Sequence, residues 1–125
     1  MVRIRIGWEG GAAWGALDDT PTSRLLADAL PWTAEARVWG GEVYFDAPIH
    51  AGLDAAPRVV VDPGTICFWV QGACVAIPYG PTPISERGEC RLVTAANVIG
   101  RIEGDPAALA AISEGTALRI ERADD

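Results

Sequence analysis

The sequence predicts a mainly β domain: a closed or nearly closed antiparallel barrel with two short helices at its ends. Three observations carry that expectation. Short runs of alternating apolar and polar residues recur along most of the chain, the period of half-buried strands. One pair of such runs, "ARVW" and "EVYFD", is separated by Gly40–Gly41 alone, a strong hairpin signal. Only two segments carry helix start and stop signals, and both are short. Many short strands with few helices fit a barrel better than any layered α/β arrangement.

The elements follow in order. "VRIRI" puts Val2, Ile4 and Ile6 on one face and Arg3 and Arg5 on the other, a half-buried strand. "GGAAWGALDD" predicts a second short strand ending near Asp18. In "DTPTSRLLADALP", Thr20 is placed to cap a helix, Pro21 fits its first position and Pro31 stops it. Leu25, Leu26, Ala29 and Leu30 form the expected apolar stripe. "RVVV", "TICFWVQ", "ACVAIPY", "NVIGRIE" and "TALRIE" read as strands, and "GDPAALAAISEG" as a second helix capped by Asp105 and stopped by Gly115. The Pro- and Gly-bearing segment from Gly80 to Ala96 reads as a long loop. No repeat, low-complexity tract or linker divides the 125 residues, so residues 1–125 read as one domain.

Composition excludes several function classes. A net charge of −7 speaks against nucleic-acid binding, which needs clustered cations. All ten basic residues are arginine, so lysine Schiff-base chemistry is closed to this chain. The opening "MVRIRIGWEG" has no apolar signal-peptide core, and no apolar run is long enough for a spanning helix. Cys67, Cys74 and Cys90 form no C-x-x-C pair and leave one over, which reads as a reduced, cytoplasmic protein without a membrane partner. With His50 the single histidine and the thiols scattered, neither a metal site nor a cofactor is expected.

Side-chain alternation locates a candidate site. Around Gly40–Gly41, Ala36, Val38, Val43 and Phe45 share the core face, while Arg37, Trp39, Glu42 and Tyr44 share the other. A two-residue turn pairs Trp39 with Glu42 and Arg37 with Tyr44. In "TICFWVQGACVAIP", a Gly72–Ala73 turn would put Phe68, Val70, Val75 and Ile77 in the core and Cys67, Trp69, Gln71, Cys74 and Ala76 opposite. The non-core faces therefore read either as a pocket with aromatic walls and a few orienting polar groups, or as solvated sheet faces on which Arg37 stacks against Tyr44. Between Trp39 and Tyr44, Glu42 is placed for partial desolvation, which raises a carboxyl's pKa toward acid–base use; a diagonal pair with Arg37 would instead keep it ionised. No sequence feature activates Cys74 or supplies partners for a catalytic His50.

Taken in order, "DDTPTSRLLADALP", "RVWGGEVYF", "VVVDPGTICFWVQGACVAIPYGPTP" and "NVIGRIEGD" resemble the small prokaryotic cyclophilin-like proteins, from about Val2 to Glu121. The resemblance implies a cyclophilin-like closed antiparallel β-barrel with two short capping helices. "FWVQG" also looks like the Phe-Met-x-Gln-Gly signature of the proline isomerases, but it lies out of register. The strand bearing Pro63–Gly64 matches a later strand of those enzymes, and the segment in the catalytic position is "ARVWGGEVYFDAP", which offers Arg37 alone.

The sequence thus leads to a barrel that binds a small molecule or short peptide, with Trp39, Tyr44, Trp69, Gln71 and Cys74 as candidate ligand-binding residues. Glu42 is the candidate acid–base group and Arg37 the candidate holder of an anion or carbonyl, for an isomerisation or cyclisation. The alternatives are a divergent peptidyl-prolyl isomerase using Arg37 and a non-enzymatic subunit whose tryptophan-rich face meets a partner. A homo-oligomer stays open.

Overall fold

The computed structural model describes residues 2–123. Its strands are β1 (Val2–Trp8), β2 (Gly11–Leu17), β3 (Trp32–Glu35), β4 (Arg37–Trp39), β5 (Glu42–Asp46), β6 (Arg58–Val61), β7 (Thr65–Trp69), β8 (Cys74–Pro78), β9 (Cys90–Ile102) and β10 (Ala117–Arg122). They form one antiparallel sheet in the order β3-β10-β1-β2-β9-β7-β8-β5-β4, with β6 added on β9. The two ends of that order are consecutive in the chain. β3 pairs with β10 and β4 pairs with β5, so the run Trp32–Trp39 is bonded to both sides and nearly closes the barrel. The break falls at Ala36, fully buried, whose N–H donates to Thr116 O and whose carbonyl accepts from Gly115 N.

Alternating residues fill the barrel. Ile4 and Ile6 of β1, Val43 and Phe45 of β5, Ile66 and Phe68 of β7, Ile77 of β8, Ile99 of β9 and Leu118 and Ile120 of β10 are all buried. On β1 the outward Arg3 and Arg5 reach Glu103 and Glu121 at 2.8 and 3.2 Å.

Helix α1 (Pro21–Ala29) starts as the sequence predicts: the Thr20 hydroxyl accepts from Ser23 N. Its buried face is Thr22, Ser23, Leu26 and Ala27, whereas Leu25 of the expected stripe is exposed. The polar half of that face is explained by β9. Residue Ile99 is a bulge, because β7 pairs Ile66 with Gly100 but Cys67 with Val98. The Ile99 carbonyl accepts from Asp18 N and from the Ser23 hydroxyl. Fully buried Asn97 donates to Thr22 Oγ1 and Gly52 O and accepts from Asp54 N. The helix therefore docks partly through hydrogen bonds, which a hydrophobic stripe cannot register.

The second helix is a 3₁₀ helix, Pro106–Ala111, capped by Asp105 on Ala107 N. Its two anchors, Leu109 and Ile112, are buried and three residues apart, the spacing that a three-residue turn stacks on one side.

Two further expectations are corrected. The hairpin of β7 and β8 pairs Trp69 with Cys74, so its turn is the four residues from Val70 to Ala73 rather than Gly72–Ala73. Ala73, at φ +50, takes the left-handed conformation that lets the chain re-enter β8. The segment from Gly80 to Ala96 is not all loop, because β9 begins at Cys90 and its first half pairs with β6. No helix among the described residues is long and apolar enough to cross a membrane.

Candidate functional site

The outer face of β4, β5, β8 and β7 is set by the register of these strands. Trp39 stands opposite Glu42, Tyr44 opposite Ala76, and Ala76 opposite Cys67, while Trp69 stands opposite Cys74. All alternate with the core residues Val43, Phe45, Phe68, Val75 and Ile77. The first half of β9 and β6 fold over part of this face, burying Val61, Cys67, Cys90, Leu92 and Ala96 as a second small core.

Between this cover and the sheet lies a cavity of about 210 Å³. Trp39, Glu42, Tyr44, Trp69 and Ala76 form its sheet side, and Leu92, Val93, Thr94 and Ala96 of β9 its other wall. Its size falls below the roughly 300 Å³ at the low end of drug-sized clefts, so it suits one ring or one compact branched group.

Glu42 is the only carboxylate in this wall, and it is 5% exposed. Its Oε1 is buried with no hydrogen-bond partner among the described residues, and the same holds for Trp69 Nε1. Burial raises the Glu42 carboxyl to about 7, because a charge without a partner is costly in an apolar wall. The thiols nearby are neutral: burial, with the Glu42 carboxyl adding to it, pushes Cys67 up to about 12, and burial with Asp62 and Glu42 raises Cys90.

The structure brings together Trp39, Glu42, Tyr44 and Trp69, but not the other three candidates. Arg37 shares their face one rung further out, half exposed, with its guanidinium 3.9 Å from Asp46. It does not line the cavity, and its contact with Asp46 replaces the diagonal pair with Glu42. Cys74 also shares the face but lies beside Asp46 and Gly72 O, each 3.3 Å from its sulfur. Burial, followed by the Asp46 contact, pushes its thiol up to about 11, away from nucleophile chemistry. Gln71 is exposed in the four-residue turn, off the strand whose alternation placed it on the face of Trp69. His50 is exposed in the loop after β5. Among the described residues no three His, Cys, Asp or Glu side chains group to hold a metal ion.

Sequence reasoning missed the β9 wall, Leu92 to Ala96. A signal existed in "TICFW", apolar at nearly every position. A strand buried on both faces reads that way, and its second face needs a cover.

The cyclophilin-like family model matches residues 2–121. The chain belongs to the cyclophilin-like family. The solution structure of the hypothetical protein AF2241 from Archaeoglobus fulgidus is similar to it, with a TM-score of 0.82 and 32% identity, covering 98% of this chain and 95% of that one. No curated protein matches the chain. Within this family, then, the barrel is shared, and the cavity of this member is lined by three aromatic rings and one carboxyl.

Proposed function

We propose that this cyclophilin-like barrel binds a small, mostly apolar organic molecule in the cavity between β5, β8, β7 and β9, with Glu42 as its polar anchor. The observation that carries this reading is the buried Oε1 of Glu42, unpartnered in an otherwise apolar, aromatic wall. Buried polar groups are nearly always satisfied, and an apolar cavity with a single carboxyl in its wall has the composition of a small-molecule site. A carboxyl titrating at about 7 is also matched to proton exchange at neutral pH, the step that an isomerisation or cyclisation would require. Proline isomerisation is less well supported, since Arg37, the one residue offered for it, faces Asp46 outside the cavity.

The test is a fragment screen by NMR, following the five indole N–H signals. Occupants of the cavity should shift those of Trp39 and Trp69 and leave Trp8, Trp14 and Trp32 in place. Ala76→Phe, which fills the cavity from its floor, should abolish the shifts. Shifts that survive Ala76→Phe, or that fall on Trp14 alone, would overturn the reading.

A further inference from the structure

The chemistry of the cavity wall narrows the class of occupant, and the argument rests on the reading that the cavity is a binding site. Three electron-rich rings, Trp39, Tyr44 and Trp69, stand around one buried carboxyl. No cation among the described residues serves that carboxyl: Arg37 on β4 lies by Asp46, and Arg91 on β9 is held by Glu89 at 2.7 Å and Glu86 at 3.7 Å. Burial alone shifts its carboxyl; the titratable groups that its charge reaches across the packed strands are the thiols of Cys67 on β7 and Cys90 on β9, with Tyr44 beside it on β5. None is positive. Faces of tryptophan and tyrosine attract cations, and desolvated cases reach about 2 kcal/mol or more. The net charge of −7 favours the approach of a positive ligand over a negative one.

We propose that the occupant is an organic cation, an ammonium carried on a short apolar group, seated among Trp39, Tyr44 and Trp69 with Glu42 as its counter-ion. A neutral occupant can hydrogen-bond to the carboxyl but leaves its charge unpaired. A cation stabilises the ionised form of Glu42, so its binding strengthens as pH rises through neutrality and releases a proton below it.

The experiment compares choline with its uncharged carbon isostere, 3,3-dimethylbutan-1-ol, titrated into the full chain at pH 6 and pH 8 and followed at the Trp39 and Trp69 indoles. Choline should bind at least about tenfold tighter at pH 8, with the advantage shrinking at pH 6. Glu42→Gln should remove the pH dependence of choline binding. Tyr44→Phe, which keeps a ring, should retain the preference that Tyr44→Leu reduces. Equal affinity for the two compounds, tighter binding of the isostere, or choline binding indifferent to Glu42→Gln would overturn the cation assignment. If uncharged fragments reach the two indoles and choline does not, the cation assignment fails and the binding reading stands. If nothing reaches them, the binding reading itself falls.

Discussion

Glu42 carries a stability cost that the fold tolerates. Its carboxyl titrates at about 7 in the folded chain and has an ordinary value of 4.5, so between those pH values the folded state holds a proton that the unfolded state has released. Stability from this group is therefore fully present below about 4.5 and is lost progressively as pH rises to about 7. At about 1.4 kcal/mol per pH unit, the loss is on the order of 3 kcal/mol. Asp19 and Glu103, hydrogen-bonded by Arg24 and Arg3, and Glu89, which accepts first from the Glu86 N–H and then from Arg91, are held below their usual range, and they act in the opposite sense, in a more acidic window. Glu42→Gln should flatten the fall in stability between pH 5 and pH 7.5, measured by urea unfolding. An unchanged slope would mean that Glu42 is not the group responsible. Its place on the non-core face beside Trp39 and Tyr44 was legible in the sequence from alternation alone, whereas its burial and its missing partner were not, since Arg37 could have been drawn to Glu42 as easily as to Asp46.

At the scale of elements, the β4–β5 hairpin supports the cavity through its turn. Gly40, at φ +59, adopts a conformation that suits glycine. Gly41 is needed for a different reason: its carbonyl accepts from Tyr79 N and Gly80 N, and its N–H donates to Pro81 O. A Cβ on Gly41 would stand 2.6 Å from the Gly80 carbonyl carbon, a clash with backbone that no rotamer relieves. Gly41→Ala should cost about 1–3 kcal/mol and loosen the segment that leads from β8 towards β9, visible as faster amide exchange at Tyr79 and Gly80. Unchanged exchange would contradict the docking role. This hairpin was read in full because a two-residue loop fixes its own register. The β7–β8 hairpin was not, because "VQGA" contains both a shorter and a longer turn. The longer turn takes Gln71 off the strand and lets Trp69 face Cys74. The cover of the cavity was hidden for a related reason: "GPTPISERGECRLVTAA" opens with turn residues, and its strand pairs with β6, a contact between separate segments that local pattern does not encode.

Across the whole molecule, the barrel was legible because nearly every strand obeys its own alternation, and a sheet with so many half-buried strands has few ways to bury them. Closure was expected, but the residue at which the ring is joined was not legible. The join depends on Ala36, a single buried residue whose two backbone hydrogen bonds go to residues 115 and 116, while the strands on either side of it pair in opposite directions around the ring. The cavity is likewise a property of the whole: its aromatic wall comes from four strands of the barrel and its other wall from the half of β9 that leaves it. This assembly holds a buried carboxyl oxygen with no hydrogen-bond partner among the described residues. The most direct measurement is the titration of the Glu42 side-chain carboxyl by carbon-13 NMR in the unliganded protein. A midpoint near 7 is expected; a midpoint at or below 4.5, the ordinary glutamate value, would mean that Glu42 is already solvated or paired and that the cavity has no buried free carboxyl.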